Sequence, residues 1–276
     1  MSKILNRPLM VDFHTHCDYS PDSSTPMKEM IEKAIEIGIT DLAFTDHVDL
    51  DADIDAETIQ NWDFDRDDHE RAIDRFKREF EGKIKLYNGL EIGMQPHLGK
   101  ENTEIVSKNN YDFVIASIHS VEKKDLYYRR YFENHSDKEA VQIYYQEFFQ
   151  SLKTFNDYCV LGHLDLYLRY KSELSSVKFS DYDDIVYEIY KHIIHSGKGI
   201  ELNAGGHRYG IGHNNPHNHL LKLYKDMHGE ILTLGSDAHK PIDLGYHYKE
   251  NIELIQSLGF KYICTFNNMK PVFHKL

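Results

Sequence analysis

Residues 10–16 read MVDFHTH, a short apolar stretch that ends in two histidines separated by one residue. The pattern predicts a buried β-strand over Met10–Phe13, with His14 and His16 at its carboxyl end. Side chains at i and i+2 of extended backbone point the same way, so the two imidazoles can bind one metal ion together. The next residues, CDYSPDS, lack the glycine-rich phosphate-binding turn of an open doubly wound sheet.

The pattern of a strand followed by polar residues is repeated along the chain. Further predicted strands are Asp41–Phe44, Lys85–Gly89, Phe113–Ser117, Cys159–Leu161, Gly199–Leu202, Leu232–Leu234 and a weaker eighth, Tyr262–Phe266. Predicted helices between them are Thr25–Ile37, Asp67–Phe80, Glu101–Asn109, Asp137–Phe155, Asp181–His195, Asn215–His228 and Asp243–Leu258. Alternating strands and helices imply parallel strands. We therefore predict an α/β barrel, as a single domain over residues 1–276.

Residues able to bind metal follow nearly every predicted strand. They are His14, His16, Asp46, His47, Glu91, His119, His163, Asp165, Asn203, Asp237 and His239. Each alone has an ordinary structural explanation, such as capping a turn, but the carboxyl ends of barrel strands converge on the face that carries active sites. Imidazole and carboxylate suit Zn, Mn, Fe or Co, and this set exceeds one tetrahedral shell. We expect two or three divalent metal ions, with Glu91 bridging.

The overall composition restricts the classes of function. A net charge of −13 argues against broad contact with nucleic acid, but is compatible with a small phosphorylated substrate beside bound metal. We expect no membrane contact, because no apolar run approaches a spanning length and no signal peptide is evident. Three cysteines without CxxC spacing predict a reducing compartment and a cytoplasmic protein. Among eighteen histidines we predict His69, His135 and His274 to lie on the surface.

The motifs HTH, TDH, IHS, GHLD and SDAH, with a lone glutamate after the third strand, together resemble the PHP family of polymerase and histidinol phosphatase domains. The resemblance covers essentially the whole chain and implies a distorted (β/α)7 TIM-like barrel carrying two or three metal ions. The ligands it implies are His14, His16, Glu91, His119, His163, Asp237 and His239, with His47 serving a third ion. Many relatives have a further histidine where this chain has Asp22. Asp22 is either a replacement ligand or an ordinary loop aspartate.

Within that family, the length, the acidic segment after TDH and the NAGGHR segment are most similar to members that hydrolyse L-histidinol phosphate in histidine biosynthesis. This implies attack on phosphorus by a metal-bound hydroxide. The catalytic residues would then be Asp237, His239 and Glu91.

Two arginines are candidates for binding the phosphate, Arg208 first and Arg169 second, because guanidinium pairs with phosphate oxygens in a bidentate manner. A surface salt bridge is the alternative for each. Asn203 is a further candidate for substrate binding. The proton for the leaving group can come from His239, Asp165 or His207, and the residues do not decide among these three.

The acidic segment Asp49–Asp68 holds nine carboxylates around Trp62 and Phe64. We hypothesise that part of it closes over the site and faces the cationic end of histidinol, although a solvated loop is the simpler explanation. Neutralising Asp51, Asp53 and Asp63 should then raise KM for histidinol phosphate more than for p-nitrophenyl phosphate. The tyrosine-rich stretch Leu126–Phe132 can line the same cleft, act as a lid or form an interface.

Several rival functions use the same residues. A phosphoesterase for another small substrate, such as a nucleotide or sugar phosphate, is the main alternative. The acidity opposes a 3′–5′ exonuclease, and amidohydrolase chemistry lacks a lysine suitably placed for a carbamylated metal bridge. A non-catalytic regulatory protein on a decayed barrel would be expected to have lost ligands that are present here.

Overall fold

The structure is a computed structural model that describes residues 8–53, 59–171, 173–174 and 177–276. Its strands are β1 Val11–Thr15, β2 Asp41–Phe44, β3 His47–Asp53, β4 Ile59–Trp62, β5 Lys85–Gly93, β6 Phe113–Ser117, β7 Ser120–Val121, β8 Lys124–Asp125, β9 Val160–Leu161, β10 Gly199–Asn203, β11 Leu232–Gly235, β12 Tyr262–Asn267 and β13 Lys270–Lys275. Its helices are α1 Met27–Ile37, α2 Arg66–Glu79, α3 Gly99–Lys108, α4 Asp137–Leu152, α5 Tyr167–Tyr170, α6 Asp183–His195, α7 Gly205–Arg208, α8 Asn218–Asp226 and α9 Tyr248–Ser257.

Seven parallel strands form the central sheet in the order β1-β2-β5-β6-β9-β10-β11. The two outer strands meet at their carboxyl ends, where the Asp237 backbone N–H donates to the carbonyl of His14 over 2.8 Å and His16 N–H donates to Ala238 over 2.9 Å. The sheet is therefore a nearly closed barrel. This confirms the predicted distorted (β/α)7 architecture and brings the first and last metal-competent motifs side by side.

The barrel strands are buried on both faces because helices cover the outside. All five residues of β6 are buried, for example. Helix α1 turns Met27, Met30 and Ile31 inward and ends at Gly38, whose φ of 93° suits a residue without a Cβ atom. Helix α4 begins with a capping box between Ser136 and Glu139. These helix ends thus follow local chemistry that can be read from the sequence.

The segment after β2 forms a hairpin beside the barrel. Strand β3 pairs in parallel with β5, placing His47 opposite Glu91, and then pairs antiparallel with β4. Part of the predicted acidic loop is therefore a β-hairpin, and it begins at the centre of the metal-competent residues.

The predicted eighth strand is confirmed as β12, but it pairs antiparallel with β13 outside the barrel. The largest errors in the predicted elements are the starts of two helices. Helix α8 begins at Asn218, because Asn215 pairs with the end of β10, and α9 begins at Tyr248, after a short 3₁₀ turn. His69 is 1% exposed rather than on the surface, because its face of α2 packs onto the barrel.

His135 and His274 are half-buried. None of the helices in the described ranges has the length and apolar character needed to cross a membrane.

Candidate metal centre

His14, near the carboxyl end of β1, and His16, just after it, lie at the bottom of the site and are fully buried. His14 Nδ1 lies 2.8 Å from Glu201 Oε2, and its Nε2 lies 3.0 Å from Glu91 Oε2. His16 Nε2 lies 3.5 Å from Glu91 and 3.6 Å from Asp237 Oδ1. Both imidazoles therefore direct Nε2 to the same pair of carboxylates, as the HxH spacing predicts.

Glu91 occupies the centre of the cluster. Its Oε1 lies 2.8 Å from His163 Nε2 and 3.3 Å from His119 Nε2, and its Oε2 lies 3.2 Å from His47 Nδ1. Burial by itself would raise the pKa of Glu91, but His14, His47 and His119 hold that pKa well below its usual value. Glu91 is therefore a charged carboxylate surrounded by imidazoles, as expected of a bridging metal ligand.

The motif after β11 contributes the opposite wall. Asp237 has a left-handed backbone with φ of 58°, which turns its carboxylate inward toward Arg169, 2.6 Å from Oδ2. Burial by itself would raise the pKa of Asp237. Arg169 and His14 lower this pKa by more than burial raises it, so it lies well below the usual value. Asp22 Oδ2 lies 3.0 Å from His239 Nε2 and 3.7 Å from His47 Nε2. Asp22 thus lies beside His47, which was predicted to serve a third ion, and beside His239.

The donor set fits divalent metal ions. Within this cluster, four triads of described residues have ligand atoms within 4.8 Å of one another: His14–His16–Asp237, His14–Glu91–His163, His47–Glu91–His119 and His16–His47–His239. His16 Nε2 and His47 Nδ1 are buried without a hydrogen-bond partner among the described residues. Burial, with His239 and His47 nearby, holds the pKa of His16 well below its usual value, so the ring is the neutral imidazole that metals bind. Buried nitrogens that face carboxylates and have no hydrogen-bond partner among the described residues indicate metal ligands.

A cavity of about 340 Å³ opens over the cluster. Its lining comprises Pro21, Asp22, His47, Asp49, Ala52, Trp62, His119, Asp125, Tyr127, Tyr128, His163, Arg169, Tyr170, Tyr209, Asp237 and His239. The lining thus combines metal-competent residues and Arg169 with aromatic side chains and a further aspartate, Asp125. This volume suits a small molecule with a charged end and a ring.

The two predicted phosphate-binding arginines occupy different positions. Arg169 lines the cavity, and its Nε is buried without a hydrogen-bond partner in the described part of the chain. Arg208 Nη2 donates to the carbonyls of Ser236 and Asp237, each over 2.6 Å, and Nη1 lies 3.0 Å from Asp243. Its Nε is likewise buried and unpartnered among those residues. Arg208 thus holds the β11 turn in place and is set back from the cavity that Arg169 lines.

Asn203 supports the site from below and is not part of the cavity lining. Its Nδ2 donates to Glu201 Oε1 over 3.0 Å, and its Oδ1 accepts from Gly205 N–H over 2.7 Å. Glu201 in turn contacts His14. We predicted that Asn203 contacts the substrate. In this geometry it lies outside the cavity lining and holds the residues beneath the metal ligands.

Of the three proton-donor candidates, His239 is the one that lines the cavity. Asp165 is fully buried and accepts hydrogen bonds from Asn215 Nδ2 over 2.6 Å and His217 N–H over 2.8 Å. Burial raises the pKa of Asp165, but its carboxylate ties down the loop after β10 instead of facing the cavity. His207 packs against His247, with ring centroids 4.4 Å apart.

The acidic segment faces the site through different residues from those predicted. Asp49 and Trp62 line the cavity. Asp51 instead contacts His97 at 2.8 Å, and Asp63 contacts Arg66 at 3.4 Å. The side chain of Asp53 and residues 54–58 lie outside the described residues. In the tyrosine-rich stretch, Tyr127 and Tyr128 do line the cavity.

Three carboxylates of the site were not singled out from the sequence. Glu201 lies two residues before Asn203 on a buried strand, where a charge without a partner would be costly, and that was a usable signal. Asp49 follows His47 at i+2 on β3 and accepts from His119 Nδ1 over 2.7 Å, so the alternation rule also pointed to it. Asp125 gave no comparable signal, since its position depends on the short β7–β8 hairpin.

Comparison with known proteins agrees with this geometry. The family model described as PHP domain matches residues 12–205. The chain belongs to the PHP domain family. A histidinol-phosphatase of Lactococcus lactis is 29% identical over 94% of this chain and 95% of its own length. A probable histidinol-phosphatase of Clostridium acetobutylicum is 26% identical, with 96% of both chains covered.

Solved PHP structures extend the comparison beyond the matched segment. The crystal structure of histidinol phosphate phosphatase from L. lactis, complexed with zinc, L-histidinol and phosphate, is 26% identical, has a TM-score of 0.86, and covers 95% of this chain and 98% of that one. A Listeria monocytogenes structure at 16% identity and a TM-score of 0.74 shows the same fold, covering 87% of this chain and 99% of that one. The barrel thus includes Asp237 and His239, which lie after the region that the family model matches.

Proposed function

We propose that this protein is a metal-dependent phosphomonoesterase that hydrolyses L-histidinol phosphate to L-histidinol and phosphate. The observation that carries the proposal is the cluster of imidazoles and carboxylates around Glu91, which opens into a cavity lined by Arg169. Full-length similarity to the lactococcal histidinol-phosphatase supports this substrate. We infer a cytoplasmic enzyme without nucleic-acid or membrane partners.

We propose that the cluster holds two or three divalent ions of the Zn, Mn, Fe or Co type. The ligands would be His14, His16, Glu91, His119, His163 and Asp237, with His47, His239 and Asp22 available to a third ion. When bound, such ions lower the pKa of a coordinated water and neutralise phosphoryl oxygens. Glu91 contacts histidines on both sides, which supports its role as the shared carboxylate.

Arg169 would bind the phosphoryl group in this cavity. Its Nη2 pairs with Asp237, while its unpartnered buried Nε is available to an anion. A guanidinium donates two parallel hydrogen bonds to phosphate oxygens, and in a buried site this contact stabilises the negative charge of the transition state. Arg208 also has a buried Nε without a hydrogen-bond partner among the described residues. Its positive charge would act on the phosphoryl group from behind the β11 turn, and the same side chain would position Asp237.

His239 would protonate the leaving alkoxide. Burial lowers the pKa of His239, but its hydrogen bond with Asp22 and the nearby Asp237 raise it above the usual value overall. The protonated ring is therefore favoured over the neutral one when Nε2 binds no metal. Because one nitrogen cannot hold both a proton and an ion, this role and a third metal ion on His239 exclude each other. Asp237 and Glu91 would be the other catalytic residues, because they would hold the metal ions that act on the phosphoryl group.

The aromatic side chains that line the cavity would bind the cationic end of the substrate. L-Histidinol carries an ammonium group and an imidazole, and the cavity offers Asp125 beside Tyr127, Tyr128 and Tyr170. Aromatic faces attract cations and stack on planar rings. Asp125 lines the cavity together with these tyrosines, so we assign the ammonium group to its carboxylate.

Phosphate release from a panel of substrates tests the proposal. The panel holds L-histidinol phosphate, p-nitrophenyl phosphate, a nucleoside monophosphate and a sugar phosphate, each with metal-stripped and reloaded protein. We expect kcat/KM for L-histidinol phosphate to exceed the others by at least about 100-fold, given the charged contacts assigned to both ends. A higher kcat/KM for another substrate would identify the alternative phosphomonoesterase. No activity at full metal occupancy would reject the enzyme altogether.

A further inference from the structure

The orientation of His16 depends on a buried hydroxyl that lies behind it. Ser20 is 2% exposed, and its Oγ contacts three groups: Asp46 Oδ1 at 2.7 Å, His16 Nδ1 at 3.0 Å and the backbone N–H of His47 at 3.1 Å. A serine hydroxyl has one proton to donate and two lone pairs to accept with. Three partners therefore use its whole hydrogen-bonding capacity.

The identities of the partners determine the direction of each hydrogen bond. Asp46 Oδ1 is a carboxylate oxygen that also accepts from the Cys17 backbone N–H, so the Ser20 hydroxyl donates to it. The backbone N–H of His47 can only donate, so it occupies one lone pair of the hydroxyl. The remaining lone pair faces His16 Nδ1, which must then carry the proton. Nε2, on the other side of the His16 ring, is buried without a hydrogen-bond partner among the described residues and faces Glu91 and Asp237.

Asp46 is itself held by a network that leaves it little freedom to rotate. Its Oδ1 also accepts from Cys17 N–H over 2.8 Å, and its Oδ2 accepts from Cys17 Sγ over 3.2 Å and from His69 Nε2 over 3.0 Å. His69 is held in turn through Nδ1, 3.1 Å from Asn88 Oδ1. Burial, and Asp46 beside it, raise the pKa of the Cys17 thiol well above its usual value, so the thiol remains a donor.

We propose that Ser20 is a positioning residue, which the Cys17–Asp46–His69 network orients and which fixes His16 as the Nδ1–H tautomer with its bare Nε2 toward Glu91 and Asp237. The inference rests on the proposed function in one respect, that His16 is a metal ligand. The groups behind a ligating histidine fix its ring and tautomer, and their loss typically weakens metal binding about 10- to 100-fold. Ser20 would supply that support from the loop after β1, and helix α2 would stabilise it through His69.

Histidine tautomers and zinc affinity together test this proposal. Two-bond ¹H–¹⁵N spectra of metal-free protein, labelled at histidine and assigned with His16→Gln, should show His16 as the Nδ1–H tautomer. In Ser20→Ala the Nε2–H tautomer should gain population. Zinc affinity, measured by competition with a chromophoric chelator, should fall about tenfold. Ser20→Thr, which keeps the hydroxyl, should lie closer to wild type in both measurements.

Ser151→Ala is the matched control, because Ser151 is equally buried but donates to Glu147 within α4. An Nε2–H tautomer in the wild type would overturn the proposal without any variant. A loss of zinc affinity in Ser20→Ala no greater than in Ser151→Ala would also overturn it. Neither measurement uses substrate, so their outcome is separate from the proposed function. Wild type that shows the expected tautomer and zinc affinity but releases no phosphate would reject the function and retain Ser20 as a positioning residue.

Discussion

Two clusters of metal-competent side chains lie side by side at the carboxyl end of this barrel, and they differ in how their polar atoms are satisfied. The cluster around Glu91 directs imidazole nitrogens that lack partners among the described residues at carboxylates beneath a cavity. In the cluster of Cys17, Asp46 and His69, ligand atoms also lie within 4.8 Å of one another, yet each is hydrogen-bonded and none lines the cavity.

The difference teaches that proximity of suitable residues does not by itself make a metal site. Buried polar atoms normally have hydrogen-bond partners, and those without one cost free energy. Around Glu91, bound metal ions would remove that cost by contacting the imidazole nitrogens that lack hydrogen-bond partners among the described residues. The second cluster has no such deficit, so we interpret it as a support for its neighbour. Substitutions in the two clusters should therefore have effects of different size.

The largest effect is expected for Glu91→Gln. The substitution removes the charge shared by five histidines, His14, His16, His47, His119 and His163. We expect the bound metal, measured by elemental analysis, to fall by at least one equivalent and kcat to fall about 1000-fold or more, since metal and charge are lost together. Glu147→Gln, at a half-buried glutamate on α4, is the control and should match wild type. Full metal content in Glu91→Gln would contradict the bridging role.

Arg169→Met should have the next largest effect. Loss of the guanidinium removes stabilisation of the phosphoryl charge, so we expect kcat/KM to fall about 100- to 1000-fold. Metal content should stay near the wild-type value, which would distinguish this change from Glu91→Gln. The exposed Arg71 on α2 offers Arg71→Met as a control of the same chemistry. If Arg169→Met retained its kcat/KM while Arg208→Met lost it, the phosphate-binding role would pass to Arg208.

A smaller and substrate-dependent effect is expected for Asp125→Asn. An asparagine oxygen can still accept from Tyr127 N–H, as Asp125 Oδ1 does over 2.7 Å, so the local turn should survive. Removing the charge should raise KM for L-histidinol phosphate about tenfold, the size of one charge-assisted contact, and leave KM for p-nitrophenyl phosphate nearly unchanged. Asp51→Asn is the control, because Asp51 faces His97 instead of the cavity. Equal changes for both substrates would remove Asp125 from substrate recognition.

The smallest effect is expected for Cys17→Ser. A hydroxyl can donate to Asp46 as the thiol does, so kcat should change by less than about threefold and metal content should not change. Cys17→Ala should also retain its metal but lower the free energy of unfolding by about 1 kcal/mol, the value of one buried hydrogen bond. Urea denaturation and elemental analysis measure both quantities. Loss of a metal equivalent in Cys17→Ser would show that the second cluster binds metal, and the contrast between the clusters would fail.

Much of the barrel could be predicted from the sequence because its signals are local. Apolar runs define the strands, and parallel strands bring the polar residues after their carboxyl ends to one face. The nine residues predicted as metal ligands do lie together for that reason. The first and last motifs become neighbours only if the barrel closes. Backbone hydrogen bonds between β1 and the β11 turn provide that closure.

The features that the sequence did not reveal depend on partners far along the chain. His69 lies on an amphipathic helix among charged residues, and its burial follows from Asp46, 23 residues away. The choice between Arg169 and Arg208 depends on backbone carbonyls that the fold presents to Arg208. Asp125 is carried into the cavity by a hairpin of two-residue strands, which no periodicity predicts. Hydrophobic pattern predicts elements, but it does not specify which polar atoms will face one another.

The most direct test of the account is a metal titration followed in two ways. Metal-stripped protein is loaded stepwise with zinc, and bound equivalents and phosphate release from L-histidinol phosphate are measured on the same samples. We predict two or three bound equivalents, negligible activity in the stripped protein, and activity that rises as the first two equivalents bind. Phosphate release that persists at full rate in stripped protein, or binding of zinc without any activity at saturation, would contradict the account.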